Sequence, residues 1–163
     1  MMKRKWLLIV AIPLITLAVV AVIDYVNKKK LQDSISCYSQ VQYDYVSDKK
    51  VVVIHAGILF LFSNGHGVIS YSGTLTDQGY DYTIKRDADV SYTVSNENSF
   101  LIRTDKLNIA PFDNLPEPLA KRFLYSYIRE QDGWTNIGIQ RNGENGYLIS
   151  TTPIPQMLCR FIK

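Results

Sequence analysis

Hydrophobic and polar residues follow two patterns along this chain: one long apolar run comes first, and short alternating segments fill the rest. The run extends from Trp6 to Ile23 without a charged residue, and basic residues flank it at 3–5 and 28–30. A helix of this length measures about 27 Å, close to the roughly 30 Å hydrocarbon core of a bilayer. We therefore predict one transmembrane helix, residues 6–23, and a tethered domain on one side of the membrane.

A cleaved signal peptide is the alternative interpretation of this run, because it also has a basic start and an apolar middle. Val19-Val20-Ala21 is a passable cleavage site, but the run is longer than the usual signal core. We favour an uncleaved anchor, and the free amino terminus together with Asp24 favours an N-terminus inside the cell. The chain then divides into a cytoplasmic tail (1–5), the transmembrane helix (6–23), a neck (24–36) and an exported domain (37–163).

The exported domain is dominated by the two-residue alternation that is typical of half-buried β-strands. Val41, Tyr43 and Tyr45 alternate with polar residues, and residues 51–62 form a long stretch rich in β-branched and aromatic side chains. Turn signals such as Asn64-Gly65 separate these segments. Further segments of this kind are 68–75, 80–84, 90–94, 100–107, 134–141, 147–151 and 157–161.

One segment of the domain has helical periodicity instead. The polar pair at 113–114 can cap it, prolines suit its first turn, and Leu119, Phe123 and Tyr127 recur every four residues. We predict one helix here, ended by the Asp-Gly pair at 132–133.

The number and order of these segments define the fold class. Seven or eight strands with hairpin turns and one late helix predict a mainly β domain of the α+β class, either an antiparallel β-barrel or a strongly curved sheet. A small barrel either encloses one apolar ligand or is filled by its own side chains. The sequence leaves both possibilities open.

Two cysteines, Cys37 and Cys159, bracket the exported domain. In an exported domain an even pair indicates a disulfide, whereas two buried free thiols would be the default in the cytosol. We predict the disulfide, and the sequence leaves open whether it is a permanent crosslink or a redox switch. Two cysteines and two scattered histidines do not have the spacing of a zinc site.

Charge and motifs exclude several classes of function. Residues 31–163 contain 12 basic and 14 acidic residues, so the domain lacks the basic patch of a nucleic-acid-binding protein. The sequence has no glycine-rich phosphate loop, no metal-spaced His/Glu pair and no nucleophile elbow. We therefore predict no catalytic residue, no cofactor and no metal, and a protein that is not an enzyme.

The two histidines, His55 and His66, are the candidate pH-responsive residues, because the unperturbed pKa of histidine, about 6.5, lies nearest mild acidity. His55 alternates with apolar residues in the stretch 51–62, so we expect desolvation to oppose its protonation. A satisfied, half-buried imidazole without a sensing role is the alternative for His55. His66 belongs to a turn and is expected to be exposed.

The whole layout resembles a known family. The residues that carry the likeness are Cys37, Ser70-Tyr71-Ser72-Gly73, Tyr80-Asp81-Tyr82-Thr83-Ile84, and Pro153-Ile154-Pro155 with Cys159. Over nearly its full length the chain resembles the FidL/MyfF/PsaF type of enterobacterial inner-membrane regulatory protein. The resemblance implies a single-pass protein of the bacterial inner membrane, with a cytoplasmic N-terminus and a periplasmic C-terminal domain.

This resemblance also implies a companion role. Such proteins are similar to the periplasmic partners of ToxR-like activators, which have a cytoplasmic winged-helix domain and a single span. The companion binds and stabilises the activator and supports transcription of virulence or fimbrial (adhesin) genes, with mild acidity as one candidate cue. Related companions form a lipocalin-like barrel, in some cases jointly with the partner and around an apolar ligand.

The five-residue tail is too short for a DNA-binding domain, so contact with DNA is expected to come from the partner alone. A function of another class is the alternative: a membrane-anchored periplasmic barrel that binds a lipid or bile-like amphiphile without a regulatory partner. A fixed stoichiometric membrane partner would distinguish the first function from the second.

Overall fold

The computed structural model describes residues 12–23, 25–26, 34–47, 50–96, 98–151 and 156–162. Residues 12–23 form a helix, α1. Within the described ranges, no helix is both long enough and apolar enough to cross a membrane. The predicted span, residues 6–23, lies partly outside these ranges. The whole of the predicted tail (1–5) and most of the predicted neck (24–36) also lie outside them. The anchor and its orientation therefore stay predictions.

Eight antiparallel strands close into a barrel within the described part of the chain, each pairing with its neighbours in sequence and the last pairing with the first. They are β1 (Ile35–Ser47), β2 (Lys50–Ser63), β3 (His66–Asp77), β4 (Tyr80–Asn96), β5 (Ser99–Ile109), β6 (Trp134–Asn142), β7 (Gly146–Ser150) and β8 (Met157–Phe161). The predicted mainly β fold is confirmed, and of the two architectures the barrel is the observed one. Eight strands in this order fit a lipocalin-like fold.

The core of the barrel consists of the inward-facing half of each strand. Ile54, Ile58 and Phe60 of β2 are almost completely buried, and Phe100 and Ile102 face them from β5. Every strand contributes buried side chains of this kind, as an interior of eight strands allows. The middle of the barrel is therefore packed with the protein's own side chains.

The two ends of the barrel differ. At one end, here called the entry end, β1 begins at Ile35 and the β2–β3 turn lies at Asn64 and Gly65. Both turn residues have positive φ, 51° and 84°, which is the geometry that the Asn-Gly pair predicts for a hairpin. The opposite end, the mouth end, contains the β1–β2 and β3–β4 turns and the β5–β6 connection.

The β5–β6 connection contains α2 (Glu117–Phe123) and a short 3-10 helix (Ser126–Ile128). The prediction of one helix continuing to residue 132 is wrong, because Leu124 has extended backbone angles and ends α2. The chain then turns inward and buries Tyr127, whose carbonyl accepts a hydrogen bond of 2.6 Å from the Thr104 hydroxyl. Burial in the barrel has overridden the local helical periodicity.

The predicted cap of this helix is also wrong. Pro116 occupies the N-cap position, and no side chain caps the helix. Asn114 instead accepts a hydrogen bond of 2.6 Å from the Thr83 N–H, and Asp113 accepts one of 3.0 Å from the Lys85 N–H. These bonds satisfy the backbone of β4 where it extends beyond the end of β5, since buried backbone donors require partners.

Candidate functional site

A cleft of about 520 Å³ lies at the mouth end, between the barrel wall and α2. Its apolar lining comes from Tyr45 of β1, Val52 of β2, and Leu119 and Phe123 of α2. The rings of Tyr45 and Phe123 lie 5.0 Å apart and join the wall to the helix. The cleft therefore arises from three separate parts of the chain, and it offers aromatic and aliphatic surface to a bound group.

Charged side chains of both signs border the cleft. Lys50 and Arg122 are the cations, and Asp44 and Asp77 are the anions. The guanidinium carbon of Arg122 lies 5.2 Å from the centre of the Phe123 ring, a cation–π distance. Oδ1 of Asp77 is buried without a hydrogen-bond partner among the described residues. The balance of signs favours neither cationic nor anionic occupants, and Asp77 supplies an unused acceptor.

Buried tyrosines line the interior of the barrel near the cleft. The pKa of Tyr43 is raised to about 12, mainly because the side chain is buried and to a smaller extent because Tyr125 and Tyr45 lie nearby. Burial likewise raises the pKa values of Tyr71 and Tyr127. These hydroxyls stay neutral at physiological pH and do not act as bases. The Tyr43 hydroxyl is buried without a hydrogen-bond partner among the described residues.

A buried ion pair fastens the β5–β6 connection to β4. Nε of Arg86 lies 2.9 Å from Oδ2 of Asp113, and the side chains are 3% and 2% exposed. Burial alone would raise the pKa of the Asp113 carboxyl, but hydrogen bonds from Arg86 and from the Lys85 N–H, with the Arg86 charge, hold that pKa below its usual value.

The sequence interpretation missed this ion pair, although a signal was present. Arg86 occupies an inward position in the alternation that includes Tyr82 and Ile84. An arginine at such a position requires a buried acid as partner, because a lone buried charge is very costly. The identity of that acid depends on the long-range path of the β5–β6 connection.

Neither predicted pH-responsive residue lines the cleft. His55 is exposed on the outer wall of β2, opposite Gln42 of β1 and Thr74 of β3, and His66 is exposed at the start of β3. The expectation of a desolvated His55 is wrong, because its face of β2 is the outer one. His55 instead borders a second groove of about 480 Å³ on the outer wall, with Gln40 and Gln42.

A role for His55 in sensing acid stays a prediction that mutation tests. We expect His55→Gln to blunt the response of reporter transcription to mild acid, because glutamine keeps the polarity of the imidazole and cannot gain its proton. Reporter activity measured from pH 5 to pH 8 checks this, with His66→Gln as the matched exposed control. An unchanged pH profile in His55→Gln would contradict the prediction.

The predicted disulfide is present. Cys37 of β1 and Cys159 of β8 are bonded, their Cα atoms lie 5.3 Å apart, and both residues are fully buried. The alternative of two free thiols is therefore wrong. The bond joins the first and last strands of the barrel across 122 positions of sequence.

Over the described ranges, no group of three or more His, Cys, Asp or Glu side chains is arranged to hold a metal ion. No protein-family model matches the chain, and no curated protein matches it. The likeness to the FidL/MyfF/PsaF type, and all that it implies, therefore stays a prediction.

Proposed function

We propose that this protein is a non-enzymatic, single-span co-regulator of the bacterial inner membrane. Its periplasmic domain binds and stabilises a ToxR-like winged-helix activator and thereby supports transcription of virulence or fimbrial genes. The main support is a rim of exposed aromatic residues at the mouth end, here called the aromatic rim. It consists of Tyr80, the first residue of β4, and Phe112 in the β5–β6 connection, which are 70% and 64% exposed.

The composition and the position of this rim favour a protein partner. Aromatic side chains are enriched at protein interfaces and among the residues that dominate binding energy. Large exposed apolar side chains grouped on one surface indicate an interaction site. The rim lies at the end of the barrel opposite Ile35, the first residue of β1.

Crosslinking in intact cells, followed by purification of the full chain and mass spectrometry, tests this function. We expect a single-span winged-helix activator as the dominant crosslinked protein. Phe112→Asp should reduce its recovery about tenfold or more, since a central aromatic anchor contributes on the order of 2 kcal/mol to binding. Leu101→Asp is the matched control, because Leu101 is 44% exposed on β5 and lies outside the rim.

The cleft supports a second candidate function, an anchored periplasmic barrel that binds a lipid or bile-like amphiphile without a regulatory partner. Its apolar lining, with charges at the border, fits a molecule that has an apolar body and a polar head. The same experiment separates the two candidates. Recovery of the protein alone, or with lipid only, would contradict the co-regulator function and favour this alternative.

A further inference from the structure

The groove on the outer wall, here called the outer groove, has a volume of about 480 Å³. It is lined by Gln40–Gln42 of β1 and His55–Gly57 of β2. Gln40, Gln42 and His55 are exposed there, because they belong to the outward-facing half of each strand. The outer groove shares no lining residue with the cleft at the mouth end and is separate from it.

The outer groove lies on the face of the sheet and not at a strand edge. Residues 40–42 of β1 pair with residues 55–57 of β2. The same residues of β2 pair on their other side with residues 72–74 of β3. Because β2 is paired on both sides here, an occupant of the outer groove contacts side chains and adds no strand to the sheet.

An aromatic ring packs against one of the residues that line the outer groove. A Cβ atom on Gly57 would lie 2.9 Å from Cζ of Tyr38 and would overlap the Tyr38 hydroxyl. The absence of a side chain at Gly57 therefore allows the ring to lie across β2. Tyr38 is 41% exposed, so part of the ring remains accessible to a ligand. An accessible aromatic face is a stacking surface for another flat, apolar face.

The polar side chains of the outer groove supply both donors and acceptors of hydrogen bonds. Nε2 of Gln42 donates a hydrogen bond of 3.0 Å to Oδ1 of Asp44, which orients the amide and leaves its carbonyl oxygen as an acceptor. The amide of Gln40 and the neutral imidazole of His55 each carry a donor and an acceptor. This combination suits hydroxyl groups, because a hydroxyl both donates and accepts.

The hydrogen-bonding side chains continue beyond the outer groove as a row across four strands. The members of this row, each opposite the next in register, are Gln42 of β1, His55 of β2, Thr74 of β3 and Thr83 of β4. Neighbouring strands are about 4.8 Å apart, so the row extends over about 14 Å. A surface of this length accommodates several linked small rings better than a single ring.

The chemistry of the outer groove disfavours other classes of ligand. Among the described residues that line it, His55 alone is ionisable, whereas sites for anions use Arg or Lys and sites for hard cations use carboxylates. An apolar ligand would cover the amides and the imidazole without giving them hydrogen bonds, which is costly. The paired strands leave no edge for an extended peptide.

We propose that the outer groove binds a neutral oligosaccharide. One sugar ring stacks its C–H face on the Tyr38 ring, and the hydroxyl groups of this sugar and the next one form hydrogen bonds with Gln40, Gln42 and His55. Stacking positions the ring, and the polar side chains select a hydroxyl-bearing ring over an apolar one. The site does not depend on the partner of the proposed function, since that partner is assigned to the aromatic rim.

Titration of the isotope-labelled full chain with three trisaccharides tests the proposal by nuclear magnetic resonance. Maltotriose and cellotriose present hydroxyl groups in two different shapes, and chitotriose adds acetamido groups. A detergent without a sugar head group keeps the chain in solution and does not compete for the site. We expect at least one trisaccharide to bind at millimolar concentration and to shift the amide signals of Gln40, Gln42 and His55. Signals of residues 134–142 in β6, on the opposite wall, should not shift.

Variants of the outer groove provide a second test. Replacement of both Gln40 and Gln42 by alanine removes two side-chain amides and should weaken binding about tenfold, as expected for the loss of two hydrogen bonds. Gln140→Ala is the matched control, because Gln140 is an exposed glutamine of β6. Tyr38→Phe keeps the stacking surface and should bind nearly as well as the wild type, whereas Tyr38→Ser should bind at least about tenfold more weakly. Thermal unfolding of each variant distinguishes a loss of binding from a loss of the fold.

The outcomes decide both the existence of the site and its specificity. Failure of all three trisaccharides to bind would overturn the proposal. Wild-type affinity in the folded variant that lacks both glutamines would also overturn it, because the ligand would then bind elsewhere. A preference for chitotriose would support the site and identify sugars with acetamido groups as its ligands, and a preference for maltotriose or cellotriose would support it with sugars that carry hydroxyl groups alone. Recovery of the activator by the same variant should be unchanged, so failure of this proposal leaves the co-regulator function intact.

Discussion

Replacement of Arg86 by methionine is expected to lower the free energy of unfolding by about 3–5 kcal/mol, because it leaves a buried carboxylate without its cation. The partner, Asp113, is 2% exposed and cannot regain solvent unless the β5–β6 connection detaches from β4. Methionine keeps most of the apolar length of the arginine side chain, so the loss reports mainly on the charge. Urea unfolding of the domain, followed by circular dichroism, measures it.

The exposed ion pair between Arg103 and Asp132 is the matched control. Its side chains are 64% and 65% exposed, so Arg103→Met should cost less than about 1 kcal/mol. Equal losses from the Arg86 and Arg103 variants would contradict the account of the buried pair.

The same ion pair predicts a dependence of stability on pH. The pKa of Asp113 is lower in the folded protein than in the unfolded chain. The stability that the Asp113 carboxylate contributes is therefore fully present above its unfolded pKa, about 3.9, and is lost as pH falls through the lower folded pKa. The free energy of unfolding of the wild type should therefore decrease as the pH is lowered below about 4. Asp113→Asn should be less stable at neutral pH and should show a weaker acid dependence.

Replacement of Cys37 by serine is expected to lower both the stability of the domain and its steady-state level in cells. The disulfide closes a loop with a sequence separation of 122. In the loop-entropy treatment, loss of such a crosslink increases the conformational entropy of the unfolded chain and thereby lowers its free energy by about 4–5 kcal/mol. Immunoblotting of cells and limited proteolysis of the purified protein measure the two effects.

Ser39→Ala provides the control for this variant. Ser39 lies two positions further along β1 and is equally buried, and its hydroxyl has no partner among the described residues. Its loss should therefore be close to neutral. Normal abundance and normal protease resistance of Cys37→Ser would show that the disulfide is not a structural crosslink.

The architecture of the barrel could be predicted because its signals are local. Period-two alternation, as at Val41, Tyr43 and Tyr45, depends on neighbouring residues alone, and the Asn64-Gly65 pair defines its hairpin by backbone geometry. The disulfide between the two cysteines was predicted because an even pair in a domain expected to be exported indicates one. The structure confirms each of these features.

The direction in which a strand faces could not be predicted as reliably. Both faces of β2 are apolar in sequence, with Val53 and Leu59 on the outer side and Ile54 and Ile58 on the inner side. Alternation identifies two faces and does not say which is buried when both are apolar. His55 was therefore expected in a desolvated environment and lies instead on the outer surface.

The candidate site could not be predicted because it depends on long-range contacts. Asp113 and Asn114 have the composition of helix caps, but they bind the backbone of a strand that lies about thirty positions earlier. The cleft combines residues of β1, β2 and α2 that are distant in sequence.

The order of the strands has a consequence for the sequence of events in which the barrel folds. Every pair but one joins consecutive strands, so most of the wall can assemble from hairpins as the chain emerges. The exception joins β1 to β8, the two strands farthest apart in sequence, through two ladder pairs and the disulfide. Contacts of such large separation form late, because closing the intervening loop costs entropy. Oxidation of Cys37 and Cys159 is therefore expected to come last in folding, and any delay in it leaves an open sheet with two free edges.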